Sequence, residues 1–165
     1  MYRFTISILL FLFGYFNAHA DSLVYNLRSY TTTTGLSDNQ VTCIIKDHFG
    51  FIWVGTKDGL NRFDGRNFQI FQYRLNSNSV CGNNITCLEI TDDSLLWIGT
   101  ASNGFCSYDY RTNQFKSYNT QNSKLRVDNI NDLVFDRIRN CLWIAMNNGG
   151  LQQFALSKMQ VNPQI

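Results

Sequence analysis

Gly50-Phe51-Ile52-Trp53-Val54-Gly55-Thr56, followed by Asp58-Gly59-Leu60 and then Phe63, decides how this chain is read, because it occurs three times. The second copy is Leu95-Leu96-Trp97-Ile98-Gly99-Thr100, with Asn103-Gly104-Phe105 and Tyr108 behind it. The third is Cys141-Leu142-Trp143-Ile144-Ala145, with Asn148-Gly149 and Phe154. The similarity extends upstream: Asn39-Gln40-Val41-Thr42-Cys43-Ile44 aligns with Asn83-Asn84-Ile85-Thr86-Cys87-Leu88 and with Asp128-Asn129-Ile130-Asn131-Asp132-Leu133. Successive tryptophans stand 44 and 46 residues apart.

A period near 45 suits the four-stranded blades of a β-propeller, and two-helix solenoid repeats have similar lengths. Strand signals separate the two. Apolar residues come in short runs rich in Val, Ile, Phe, Tyr and Trp, broken by turn dipeptides such as Asp58-Gly59, Asp64-Gly65 and Asn148-Gly149. No stretch after residue 21 keeps a 3.6-residue apolar stripe for three turns. The first repeat reads as strands over 41–46, 51–55, 60–63 and 68–72, with Asp64-Gly65 supplying the positive φ of a tight hairpin. Gly55 and Gly99 follow their tryptophans by two residues, so they share its sheet face and admit a neighbouring sheet at close range, and Ala145 is the smallest alternative in the third repeat. Such sheets are apolar on both faces and need stacked neighbours. Trp53, Trp97 and Trp143 then fill the space between sheets, each burying ~200 Å² worth on the order of 5 kcal/mol at most. The alternative is that these indoles are platforms for stacking sugars.

Length 165, 44% hydrophobic, 15% aromatic, 16% charged and a formal charge of +2 exclude a disordered, collagen-like or coiled-coil chain. Lys and Arg are scattered, which leaves no footprint for nucleic acid. Met1-Tyr2-Arg3, the apolar run over 4–16 and Ala18-His19-Ala20 before Asp21 have the parts of a cleavable signal peptide, so export to the periplasm with cleavage near Ala20-Asp21 is expected. Thirteen apolar residues are too few to cross a bilayer as a helix, and no later segment is apolar enough to do so. The five cysteines, Cys43, Cys81, Cys87, Cys106 and Cys141, lack metal or redox spacing. Four lie in or beside apolar runs, so mostly free buried thiols are expected, with a single bridge as the alternative.

The run from Gly35-Leu36-Ser37-Asp38-Asn39-Gln40-Val41 through Asp47-His48-Phe49-Gly50-Phe51-Ile52-Trp53-Val54-Gly55-Thr56-Lys57-Asp58-Gly59-Leu60 to Phe63-Asp64-Gly65 resembles the two-component regulator propeller repeat. The second repeat departs at Thr91-Asp92-Asp93-Ser94 and at Ser102-Asn103, and the third at Ala145 and Asn147-Asn148. The resemblance covers about residues 35–156. It implies the exported N-terminal sensor region of a hybrid histidine kinase, with a homodimeric parent and, in many relatives, a response to oligosaccharides. The expected fold is all-β: a partial propeller of about three four-stranded antiparallel blades plus an orphan N-terminal outer strand. Its divisions are a signal peptide at 1–20, the outer strand at 21–34, and blades at 35–79, 80–124 and 125–165, the last incomplete. Closed propellers have roughly four to eight blades. The chain is therefore expected to be a fragment whose remaining blades and kinase lie in a longer parent, and which alone exposes apolar faces at both ends and tends to aggregate.

In a propeller, the loops entering the first strand and those joining the second and third strands share the usual binding face. The candidate ligand-binding residues are accordingly Asp38, Asn39, Lys57, Asp58, Ser102, Asn103, Asn147 and Asn148, whose amides, hydroxyls and charges suit sugar hydroxyls. The plainer reading is that they only form turns. No cofactor or metal is expected. Catalysis is disfavoured, because the mature chain holds only His48 and Glu89 as its histidine and glutamate, no partner orients His48, and Asp92-Asp93 reads as a turn. The expected function is a glycan-responsive periplasmic sensing module, with an exported scaffold unrelated to signalling as the alternative.

Overall fold

The computed structural model describes residues 25–91 and 95–156, and the signal peptide and Asp92-Asp93 lie outside them. Among the described residues, eleven strands form three antiparallel sheets. The first comprises β1 (Val41–Lys46), β2 (Ile52–Thr56), β3 (Gly59–Phe63) and β4 (Phe68–Phe71), side by side in chain order. The second repeats it with β5 (Ile85–Thr91), β6 (Leu95–Thr100), β7 (Phe105–Asp109) and β8 (Gln114–Tyr118). The third holds β9 (Ile130–Asp136), β10 (Cys141–Met146) and β11 (Gly150–Ala155) among the described residues. β5 runs beside both β1 and β9, so the sheets radiate from adjacent inner strands as open propeller blades do. The register repeats as well: β1 and β5 each slip by one residue at the same place, between Val41 and Cys43 and between Ile85 and Cys87.

The tryptophans occupy matching seats. Trp53 and Trp97 are buried at 0% and 2% exposure between successive sheets, while Trp143, with no described sheet against it, is half-buried. One core packs Trp53 and Leu60 of the first sheet on Ile85, Leu96 and Ile98 of the second. The other packs Trp97 and Phe105 on Ile130, Leu142 and Ile144 of the third. The glycines two residues on are where the sheets come closest. A Cβ on Gly55 would lie 2.7 Å from Ile85 Cγ2 of the next sheet, and one on Gly99 2.9 Å from Ile130 Cγ2. These distances are shorter than real side chains tolerate, so glycine at both positions is a packing requirement of the stack.

The N-terminal segment, expected as an outer strand without partners, pairs with no other strand in its described part. Residues 25–30 join no sheet, the regular element there is a 3₁₀ turn at Thr32–Thr34, and residues 21–24 lie outside the described ones. A strand exists through its ladder, and an extended segment without a facing edge leaves its N–H and C=O groups to water. Tyr30 instead lays its ring 4.9 and 5.6 Å from Phe63 and Phe68, across the outer part of the first sheet. The inner part of that face stays bare: Val41 is 51% exposed and Ile44 68%.

Candidate functional site

The turns that carry the candidate residues do lie along one end of the stack, joined into a rim by main-chain hydrogen bonds. Lys57 N donates to Gln40 O (3.2 Å), Ala101 N to Asn84 O (3.0 Å) and Asn147 N to Asn129 O (2.9 Å), tying each β2–β3-type turn to the loop that enters its own sheet. Gly59 N donates to Asn83 O and Gly104 N to Asp128 O, both at 2.8 Å, tying each such turn to the loop that enters the next sheet. Gly59 and Gly104 have φ of 125° and 73°, the left-handed geometry that points these N–H groups across the gap.

Two buried threonines hold the turns from beneath. Thr56 Oγ1 donates to Gly59 O (2.8 Å) and accepts from Asp58 N (3.2 Å). Thr100 Oγ1 does the same with Gly104 O (2.7 Å) and Asn103 N (3.0 Å). In the third sheet Met146 takes this place, and Asn148 carries the turn with φ 58°. The threonine role went unread in sequence, although the final Thr of each Trp-x-Gly-Thr run was its signal.

Several candidate side chains already have structural work. Asp38 Oδ1 accepts from Gln40 N, and Asn39 Oδ1 accepts from Thr32 N at 2.9 Å. The Asp58 carboxylate receives Asn83 Nδ2 (2.9 Å) and Gln72 Nε2 (3.2 Å). Ser102 Oγ donates to Asn103 Oδ1 at 3.0 Å. Except for Asp38, which is half-buried, all eight candidates are exposed. The rim therefore presents amides, a hydroxyl, carboxylates and one lysine, groups that can hydrogen-bond a polyhydroxylated surface. Among the described residues no three His, Cys, Asp or Glu side chains are grouped to hold a metal ion.

The opposite end, at the β1–β2 and β9–β10 turns, holds an open cleft of about 480 Å³ lined by Ile45, Lys46, Asp47, His48, Ile90, Thr91 and Arg137. His48 lies here, away from the rim, with its ring 3.9 Å from that of Phe49. Asp47 is the anchor of this end. It is buried, and its carboxylate accepts from Phe49 N (3.0 Å), Phe51 N (2.9 Å) and Trp53 Nε1 (2.8 Å). The other indoles have acceptors at the matching position, Thr91 Oγ1 for Trp97 (3.4 Å) and Asp136 Oδ2 for Trp143 (3.3 Å). Burial, and then the nearby Asp47 carboxylate, hold the Tyr110 phenol well above its usual pKa. Burial pushes the Cys87 thiol up to about 12.

With this geometry in place, residues 35–58 match the model of the family "Two component regulator propeller". That segment is similar to a two-component regulator propeller repeat. Over 66 residues the chain is 41% identical to Histidine kinase P4 of Formosa agariphila, covering 40% of this chain and 5% of that protein. Among solved structures it is similar to an extracellular domain assigned to a hybrid two-component system of B. thetaiotaomicron, with 24% identity and a TM-score of 0.69 over 80% of this chain and 20% of that one. An extracellular domain assigned to a one-component system of the same organism gives 22% identity and 0.65, over 76% and 18%. The chain thus spans a fifth or less of each of these proteins, and the two structures bear out the all-β propeller arc. Among the described residues, no helix is long and apolar enough to cross a membrane.

Proposed function

We propose that this propeller arc belongs to the periplasmic ligand-sensing region of a hybrid two-component histidine kinase, and that the rim of turns meets an oligosaccharide. The observation that carries the signalling part is the 41% identity to a histidine kinase over 66 residues, together with the family match at 35–58. The carbohydrate part rests on the rim's chemistry, an exposed row of Lys57, Asp58, Ser102, Asn103, Asn147 and Asn148. A ligand that binds one arrangement of the blades better than another shifts the population toward it, and that differential affinity is what a coupled kinase reads.

Two measurements test the two parts separately. The reading frame that contains this chain is expected to continue into further blades, a membrane helix and a histidine kinase domain, and a frame that lacks them refutes the signalling role. Isothermal calorimetry of the whole exported region against short neutral and uronic-acid oligosaccharides is expected to show binding that weakens about tenfold in Asn147→Ala, the loss of one good hydrogen bond. No heat across the panel refutes the carbohydrate role and leaves the signalling role standing.

A further inference from the structure

Each sheet is crossed by the segment that leads into its first strand, and each crossing is fastened at the same two positions. In the first sheet Ser37 N donates to Asn61 Oδ1 (2.9 Å), and Asn61 Nδ2 returns a bond to Ser37 Oγ (2.8 Å). In the third, Arg126 N donates to Gln152 Oε1 at 3.2 Å. In the second, the same positions hold Cys81 and Cys106: Cys81 N donates to Cys106 Sγ at 3.4 Å, which sets the second thiol against the main chain of the first. Asn61, Cys106 and Gln152 are equivalent, lying opposite Val54, Ile98 and Ile144 in the strand register. Among the described latches, only the second sheet's is built from two groups that can become covalent.

We propose that Cys81 and Cys106 form a disulfide when the chain folds under oxidising conditions, converting this latch into a permanent staple. Both residues are unbridged in this structure and buried, at 5% and 0% exposure, in the core between the first and second sheets. The Ser37–Asn61 pair shows that side chains at these two positions meet without distorting the sheet. The reaction is thiol–disulfide exchange with a small-molecule or protein disulfide as oxidant. One cysteine thiolate attacks the oxidant's sulfur and expels one thiolate. The second cysteine then attacks the mixed disulfide and expels the other, so two S–H bonds are lost and two thiols of the former oxidant are released. The facing Cys106 thiol, and then burial, hold Cys81 protonated at neutral pH, so the exchange belongs to the folding chain, before the core closes. The bridge would close a loop spanning 25 residues and raise the folding equilibrium constant on the order of a hundredfold.

The test refolds the full chain from urea in a buffer of reduced and oxidised glutathione, blocks remaining thiols with N-ethylmaleimide in denaturant, and maps the digest by mass spectrometry. The expected product is one peptide pair joined through Cys81 and Cys106 and lighter by two hydrogens, with Cys43, Cys87 and Cys141 labelled. Five labelled cysteines, or a main product bridged elsewhere (the half-buried Cys43 with the buried Cys87 is the competing pair), overturn the proposal. Because Cys106→Ser can impair folding, Cys43→Ser serves as the second variant. It is expected to keep the Cys81–Cys106 bridge, and its loss there also overturns the assignment.

Discussion

Gly99→Ala is the most direct probe of the stacked architecture. The added Cβ would sit 2.9 Å from Ile130 Cγ2 and 3.2 Å from Thr86 Oγ1, and closer still to Cys87 Sγ, where ordinary contact begins at 3.4 Å. Thr86 and Cys87 belong to the neighbouring strand of the same sheet, so Cys87 Sγ must turn aside, while Ile130 belongs to the next sheet, and relief of that contact requires the third sheet to back away from the second. Overpacking of this kind costs ~1–3 kcal/mol. Alanine offsets ~0.5–1 kcal/mol of it by restricting the unfolded backbone. A net loss of about 1–2 kcal/mol is expected, read as a lower midpoint in urea unfolding followed by tryptophan fluorescence. Ile130→Ala removes the opposing methyl, so the double variant is expected to be more stable than the sum of the two single losses predicts, by about 1 kcal/mol. Ala145→Gly is the internal control: that seat already holds a Cβ and faces no described sheet, so only glycine's backbone cost of ~0.5–1 kcal/mol should appear. A neutral Gly99→Ala, or strict additivity with Ile130→Ala, would refute the close approach of the sheets.

Three further outcomes follow from the same geometry. Asp47→Ala strands three donors at once, and at ~1–3 kcal/mol for each buried unsatisfied group the site is expected to lose on the order of 3 kcal/mol. Thr91→Val, which removes a single 3.4 Å bond, should cost no more than about 1 kcal/mol in the same urea assay. Trp97→Ala is expected to cost ~3–5 kcal/mol and the half-buried Trp143→Ala less than half as much, and equal costs would deny that a stacked neighbour is what buries the indole. Asp136 is held at a pKa of about 2, chiefly by the Arg139 backbone N–H and then by its side chain. The unfolded value is about 3.9, so this carboxylate's contribution is complete above about pH 4 and is lost as pH falls toward 2. Acid titration by fluorescence should therefore show a destabilising limb in that window, flattened in Asp136→Asn, and an unchanged limb in the variant counts against it.

The strands were legible because their signals are local. The repeated indole, the glycine two residues on and the turn pairs fix where each strand begins and on which face it is apolar, and the expected bounds differ from β1–β4 by no more than one residue. The latches and indole acceptors were not legible, because the same geometric role is played by unlike residues. Asp47, Thr91 and Asp136 all receive a tryptophan N–H, and Asn61, Cys106 and Gln152 all receive a connector N–H. Only a shared position in the register reveals the equivalence, and register is a property of the folded sheet. Residues 25–30 have strand-like composition and, as expected of an outer strand without partners, no ladder to join. The rim residues lie along one end of the stack. Their chemistry could not separate binding from turn formation, because the amides that suit a sugar hydroxyl are the ones that close a turn.

In this molecule the interface between sheets, not the sheet, is the unit of stability. Ile85 and Ile130 are both 0% exposed against the glycine of the preceding sheet, whereas Val41, at the same position in the first sheet, is 51% exposed. Full burial of such a side chain is worth ~1.5–3 kcal/mol, which that position largely forgoes. Val134 and Leu151 leave the free face of the third sheet in the same state, at 53% and 63% exposure. The second sheet has both faces covered, and it is also the sheet whose latch is made of thiols. The rim bonds from Gly59 to Asn83 and from Gly104 to Asp128 cross these same interfaces. On the sensing reading, a ligand that bridges neighbouring turns therefore acts on the sheet-to-sheet spacing that Gly55 and Gly99 set. Tightening or loosening that spacing is the one deformation the stack can pass from blade to blade without breaking a strand ladder.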